Sequence, residues 1–176
     1  IGTVWVTQSN VSNFPGINST APYFQIRTNV SKSRTYGAEL LTEINWIKLF
    51  TNKEATKRLT TFLNLSTIDA RYVSSDEPAY DNKKVELVPP LTLRTGLSIG
   101  NNKFSASYQF SYVNEHYSDA TNAVNHPHGI VGLIPSYNVM DISLKYSINK
   151  FQFEGGINNL TNRSYFTRRA TGNPGP

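Results

Sequence analysis

At 176 residues the chain is long enough to bury a sizeable core, and its net charge of +5 reflects 17 basic against 12 acidic side chains. The cations are scattered. Only Lys83-Lys84 and Arg168-Arg169 are adjacent outside a charged stretch at 53–58, so there is no phosphate-tracking stripe and nucleic acid is not an expected partner. The absence of cysteine rules out a disulfide framework and Cys-based metal or redox chemistry.

Ten Tyr, nine Phe and two Trp beside many Thr, Ser and Asn make a β composition. No run of about 18 apolar residues exists, so no transmembrane helix is expected. Ile1-Gly2-Thr3-Val4 reads as mid-strand and Asn173-Pro174-Gly175-Pro176 as mid-loop. The sequence is therefore expected to be a piece of a longer chain.

In chain order, Ile1 to Gln8 is β-rich, and Asn10 to Pro22 breaks it with Asn, Ser, Gly and Pro. A long extended segment is predicted from Tyr23 to Trp46. In its second half Tyr36, Ala38, Leu40, Thr42, Ile44 and Trp46 alternate with Gly37, Glu39, Leu41, Glu43 and Asn45. Lys48 to Arg58 is a charged connection with room for one helical turn. Leu59 to Val73 is the next strand, with a phase slip near Thr67-Ile68 that reads as a bulge. Ser74 to Val88 is a polar loop, and Pro89-Pro90 opens the strand Leu91 to Ile99. Gly100-Asn101-Asn102 is a tight turn.

Lys103 to Val113 is the cleanest strand, with Phe104, Ala106, Tyr108, Phe110 and Tyr112 facing opposite to Ser105, Ser107, Gln109 and Ser111. Glu115 to Ile134 is a long loop holding all three histidines. A hairpin follows from Val139 to Ile157, turning at Asn149-Lys150. Its apolar set is Met140, Ile142, Leu144, Tyr146, Ile148, Phe151 and Phe153; its polar set includes Asp141, Lys145, Gln152 and Glu154. The second limb is predicted to run on through Asn158-Asn159-Leu160 to Tyr165-Phe166. The count is about seven strands in an antiparallel up-and-down meander, with long loops at one rim and short turns at the other.

A soluble sandwich also alternates, but three features favour a transmembrane barrel. The alternating runs approach the ~9–11 residues that cross a bilayer at a tilt. Tyr36, Trp46, Tyr112, Tyr137 and Tyr165 lie near strand ends, where interfacial girdles sit. Glu39, Glu43, Arg94, Asp141, Lys145 and Glu154 occupy mid-strand positions that are costly in a dry core and ordinary in a hydrated lumen. The apolar set of the hairpin is accordingly expected to look out to lipid and the polar set into a lumen.

Two motifs carry a resemblance. Arg34-Thr35-Tyr36-Gly37-Ala38-Glu39-Leu40 resembles the "R-x-x-G-x-E" element in late barrel strands of TonB-dependent outer-membrane receptors. Gly156-Ile157-Asn158-Asn159-Leu160-Thr161-Asn162-Arg163-Ser164-Tyr165 resembles their "G-x-x-N-L-x-[ND]-x-x-Y" signature. Ala70-Arg71-Tyr72-Val73 and Tyr137-Asn138-Val139-Met140-Asp141 also fit, and the tail from Tyr165 to Pro176 is similar to the last outer loop of ferric-citrate-type members. The resemblance implies a place among the late strands of a barrel of about 22. Residues 1–176 would be the C-terminal part of that barrel, an open curved sheet without the plug domain, the TonB box or the last strand. It further implies import of a ferric chelate such as ferric citrate or another scarce nutrient across the bacterial outer membrane. TonB would act through the missing N-terminal part, and lipid and lipopolysaccharide would surround the wall.

Candidate ligand-binding residues are His116, Tyr117 and Asp119, the His126-Pro127-His128 pair, and Arg168-Arg169. A His-x-His spacing puts two imidazoles on one side of an extended chain, which suits metal ligation, although a receptor of this kind takes its metal already wrapped in a chelator. Guanidinium forks match carboxylates, as an anionic chelate would require. The competing reading of these positions is a solvated loop and rim cations that meet lipid phosphates. No resident cofactor or metal is expected. Phosphate loops, a G-x-S-x-G elbow and H-E-x-x-H are absent, so the chain is not expected to be an enzyme. The alternatives are a soluble β-sandwich binding module and a passive porin-like channel.

Overall fold

The computed structural model describes residues 2–7, 23–28, 31–51, 56–75, 78–125 and 131–169. Its main body is one antiparallel sheet of six strands. These are β3 (Ser31–Asn45), β4 (Arg58–Ser75), β5 (Leu91–Gly100), β6 (Phe104–Val113), β9 (Tyr137–Ile148) and β10 (Phe151–Ile157). Each pairs with the next in that order, which is an up-and-down meander. Two smaller ladders accompany it: β1 (Gly2–Thr7) with β2 (Tyr23–Thr28), and β7 (His116–Tyr117) with β8 (Leu133–Ile134). The sheet is open, and β3 and β10 form its two edges.

The connections sort by length. α1 (Trp46–Thr51), the turn at 101–103 and the turn at 149–150 lie at one rim. The long connections, described over 78–90, 114–125 and 131–136, lie at the other, together with residues 158–169. Asn side chains shape the short turns. The Asn101 carboxamide accepts from the amides of Lys103 and Phe104 at 2.8 and 2.9 Å, and Asn149 takes the left-handed conformation the hairpin needs.

Cross-strand register assigns the two faces, because directly paired residues point the same way. One row reads Ile44, Thr61, Leu97, Tyr108, Ile142 and Ile157, and its neighbour reads Thr42, Leu63, Thr95, Phe110 and Met140. Between these rows on the opposite face run Glu43, Phe62, Gly96, Gln109 and Asp141, then Leu41, Asn64, Arg94, Ser111 and Val139. Glu39, Lys145 and Glu154 share this second face, where Lys145 Nζ lies 3.2 Å from Glu154 Oε1. The separation expected for the hairpin therefore extends across the whole sheet. The polar face keeps a few apolar members, and Phe62 is one with a local reason. Its ring lies over Gly96, where a Cβ would collide with it.

Nothing described packs against the apolar face. Phe151 is 69% exposed and Phe153 61%, with Leu97, Ile99, Leu144 and Ile157 also bare. A sandwich would have covered these side chains with a second sheet. Each wall strand carries about ten paired residues, roughly 33 Å of strand at ~3.3 Å per residue, or about 25 Å of height once tilted as barrel strands are.

Three sequence expectations are corrected, while the extended segment from Tyr23 is seen as β2, paired with β1, and β3, paired with β4. The register of β3 with β4 runs unbroken through Thr67 and Ile68, and the irregularity falls near Val73, where Lys32 pairs with Ser74 and Ser33 with Tyr72. The phase slip instead marks a change of surroundings. Pairing with β5 stops at Thr67, and above it Ala70 and Tyr72 are buried on one face while Asp69 and Arg71 take the other. The second limb of the hairpin ends at Ile157. Asn159 and Asn162 are left-handed, and the Asn159 side chain clamps Arg163 by accepting from its amide and donating to its carbonyl, both at 3.0 Å. Finally, Tyr137 lies on the polar face, and its ring stacks on Tyr165 at 4.6 Å, so this pair is not part of a lipid-facing girdle.

Candidate functional site

Among the described residues the few that are buried gather at the long-loop rim: Ala70, Tyr72, Ile134 (0% exposed) and His116 (6%). They are the core of a cap that three segments build together. Residues 82–85 fold back along β4 and meet it through a single antiparallel bridge. Tyr72 donates its amide to Lys83 O, Val85 donates to Ala70 O, and Arg71 pairs with Lys84. The Tyr72 hydroxyl donates to Glu86 Oε2 at 2.6 Å. Burial first, and the neighbouring Glu86 carboxylate second, push the Tyr72 phenol well above its ordinary pKa.

Residues 117–122 of the following loop dock on this segment. Asn122, in the left-handed conformation, makes a reciprocal amide pair with the Lys84 backbone. Its Oδ1 accepts from Lys84 N at 2.7 Å and its Nδ2 donates to Lys84 O at 2.8 Å. Leu87 N donates to Tyr117 O at 2.8 Å. Within the loop, Ser118 N donates to Gly132 O while Gly132 N donates to Ser118 Oγ, which closes the ribbon formed by β7 and β8. The chain after β10 then ties itself down. Asn159 N donates to Asp141 Oδ1 at 2.9 Å, Leu160 N donates to Met140 O, and the Arg169 guanidinium donates twice to Leu133 O at 3.2 and 3.0 Å while lying over the Phe166 ring.

Five candidate residues meet in this cap. His116 is buried beside Ile134, with its Nδ1 3.1 Å from Asn114 O, and is part of the cap's packing. Tyr117 is half-buried and pairs with Leu133. Asp119 holds its own turn, as Oδ2 accepts from the Thr121 amide and hydroxyl; Oδ1 is buried without a hydrogen-bond partner among the described residues. Arg169 is the half-buried clamp on Leu133, and Arg168 beside it is exposed. His126 and His128 fall outside the described residues. Among the described residues no group of three or more His, Cys, Asp or Glu could hold a metal ion. A short slot lined by Pro135, Tyr137, Arg163, Tyr165 and Phe166 opens on the same rim, with a volume of about 140 Å³. Sequence reasoning missed Asn122 and Glu86, since a polar side chain in a loop carries no sign of the partner it will meet far along the chain.

An open antiparallel meander with one bare apolar face, one charged face and its long loops at a single rim is a stretch of wall from a membrane β-barrel. Residues 3–160 match the family model described as TonB dependent receptor-like, beta-barrel, and the chain belongs to that family. It is a family of transporters, not enzymes, of the Gram-negative outer membrane. Among solved structures the fold is similar to the ferric citrate transporter FecA in its unliganded form, with a TM-score of 0.69 and 15% identity over 80% of this chain. The match covers 21% of that protein, so the chain spans about a fifth of its length. No curated protein sequence matches this one.

The two motifs now have a structural sense. Gly37 sits where a Cβ would run into the carbonyl oxygen of Thr67, at the level where β5 leaves β4. Asn159 is the clamp that turns the chain out of the wall into the cap.

Proposed function

We propose that the chain is late-barrel wall and outer loops of a TonB-dependent transporter that imports a ferric chelate, such as ferric citrate or another siderophore, across the outer membrane. The observation that carries this is the pairing of a lipid-type apolar face with a charged inner face beneath an interlocked loop cap, in a chain of this family. The cap would form part of the ligand chamber. The exposed cation Arg168, with Tyr117 and Asp119 of the same cap, are the positions proposed to meet the ligand, with Arg169 and His116 holding the surface they stand on. His126 and His128 complete the proposed set. An anionic chelate suits Arg168, because a guanidinium presents a fork that a carboxylate accepts bidentately. The charged wall face would line the lumen that a separate plug occupies and that TonB opens from the other side.

The test is uptake of radiolabelled ferric citrate by cells carrying the full-length gene or its deletion, under iron limitation. The reading predicts energy-dependent uptake that the deletion abolishes and that Arg168→Gln lowers severalfold. Uptake that persists without the proton-motive force would assign the protein to passive channels. Uptake untouched by deletion, for citrate and for a panel of other ferric chelates, would end the iron reading.

A further inference from the structure

The three connections described at the short-turn rim are not alike. Those at 101–103 and 149–150 are built from Asn and Lys and carry no apolar residue. Between β3 and β4 stands α1 instead, with the sequence Trp46-Ile47-Lys48-Leu49-Phe50-Thr51. Asn45 caps it, since its Oδ1 accepts from the amide of Lys48, the third helical residue, at 3.1 Å. At about 3.6 residues per turn Trp46, Ile47, Leu49 and Phe50 fall within an arc of about 160°, and Lys48 and Thr51 take the remainder. An apolar stripe of that width ordinarily faces a core. Here it does not. Phe50 is 77% exposed, the most of any large apolar side chain among the described residues, and Leu49 is 63% exposed.

The wall fixes which way the stripe looks. Ile44 pairs with Thr61 in the apolar row that continues to Leu97, whereas Asn45 pairs with Thr60 on the charged face. Trp46 therefore steps back to the apolar side. Its indole Nε1 donates to Thr61 Oγ1 at 2.9 Å, so the half-buried ring lies against the apolar face of β4. The Phe50 ring stacks on it, with centroids 6.2 Å apart and planes 16° from parallel. The helix stripe is thus a continuation of the bare apolar wall, on the same side of the sheet.

We propose that α1 is an interfacial foot, a helix whose Leu49 and Phe50 enter the phospholipid of the periplasmic leaflet and hold the β3–β4 end of the wall at a fixed depth. Continuity with the lipid-facing wall selects this occupant, because anything inside the lumen meets the other face. Short turns mark the periplasmic side of an outer-membrane barrel, which selects the leaflet. Trp46 supplies a large amphipathic ring with its polar end already bonded, and Lys48 and Thr51 are left on the watered side. A helix of this character lies in the plane of the interface, its apolar face ~5–10 Å into the headgroup–acyl boundary. Six residues would bind a membrane weakly if free, but α1 is held in place by the Asn45 cap and the Thr61 bond. The inference rests on the reading of the apolar face as lipid-facing and is independent of the transported ligand.

The experiment places nitroxide labels on single introduced cysteines of the full-length protein in phosphatidylcholine vesicles, where lipid charge plays no part. This chain has no cysteine of its own, and Leu49 and Phe50 are exposed, so Leu49→Cys and Phe50→Cys remove no core packing. Power-saturation electron paramagnetic resonance compares collisions with oxygen, which concentrates in lipid, against collisions with a water-soluble nickel chelate. Labels at 49 and 50 are expected to favour oxygen severalfold. A label in Asn102→Cys, on a polar turn of the same rim, should favour nickel. Labels at 49 and 50 as open to nickel as the one at 102 overturn the foot. Labels there shielded from both reagents overturn it too, since protein then covers the stripe. A Leu97→Cys label reports on the wall itself. If that label favours nickel, the lipid reading of the apolar face falls and the foot with it; if it favours oxygen while 49 and 50 do not, the foot alone is wrong.

Discussion

The wall and the cap of this molecule solve opposite solvent problems with the same kind of strand. In the wall, apolar side chains point out and stay bare, charges point inward, and almost nothing is buried. In the cap, a few strand-widths higher on the same β4, Ala70 and Tyr72 turn inward to a small core while Asp69 and Arg71 point out. Register does not change between the two. What changes is the medium outside: β4 keeps its backbone course and exchanges the chemistry of its faces. The sense of the alternation along β4 thus reports depth, and the change falls at Thr67–Ile68, where β5 also departs.

The sharpest way to break the comparison is to put a charge on each face at one level. Leu97 lies mid-wall on the apolar face, and Gln109 lies at the neighbouring level on the other. Leu97→Arg is expected to cost about 2–4 kcal/mol of folding into vesicles, as a midplane arginine facing lipid does, whereas Gln109→Arg should fall within ~0.5 kcal/mol of the wild type. Urea titration of the full-length barrel in lipid measures both. Similar costs on the two faces would show that the apolar face is not in lipid.

The cap should respond on a local scale. Ile134 is the one fully buried large side chain among the described residues, so Ile134→Ala removes core packing worth about 2–4 kcal/mol where the site cannot collapse. The wall shares no core with it, and the expected outcome is a cap that proteases cut within 114–136 while the barrel's unfolding midpoint in lipid stays put. A midpoint that falls with the cleavage would mean that wall and cap fold as one unit.

Much of the wall was legible in the sequence because one rule governs it. A period of two, read along Phe104–Tyr112 or Met140–Ile148, is enough to sort lipid-facing from lumen-facing positions, and the register agrees across six strands. The cap was not legible, because its order comes from side chains that meet backbone far away in sequence. Asn122 and Lys84 are 38 residues apart, and Arg169 and Leu133 are 36 apart. His116 showed the cost of reading a loop as solvated: the loop has a core of its own, and the histidine belongs to it. The phase slip at Thr67-Ile68 was visible but was assigned to a bulge, because alternation alone does not distinguish an inserted residue from an inverted environment.

A smaller effect should come from the amide pair that joins the two loops. Asn122→Ala leaves Lys84 N and O without partners, a loss of about 1–3 kcal/mol if both stay dry. Faster hydrogen exchange is expected at the Lys84 and Leu87 amides, with no change in β5 or β6. Unchanged exchange at Lys84 would show that water replaces the carboxamide without loss and that the loops dock through the Leu87–Tyr117 bond alone.

The smallest effect is a pH dependence confined to the cap. Tyr72 has a folded-state pKa above its ordinary value near 10, because burial and the hydrogen bond to Glu86 both oppose tyrosinate. A raised pKa means that the folded state holds the proton more tightly than the unfolded one. The stability it contributes is therefore complete below about pH 10 and is lost as pH rises toward and through the folded value. Protease cutting within 78–90 should accordingly rise above pH 10 in the wild type. Tyr72→Phe should cut faster at neutral pH, through loss of the 2.6 Å bond to Glu86, and show a flatter alkaline rise. The difference in tyrosinate absorbance between wild type and Tyr72→Phe isolates the one phenol among ten tyrosines. If that difference titrates near 10, Tyr72 is solvated, Ala70 and Tyr72 do not form a core, and the inversion of faces above Thr67 has no energetic basis.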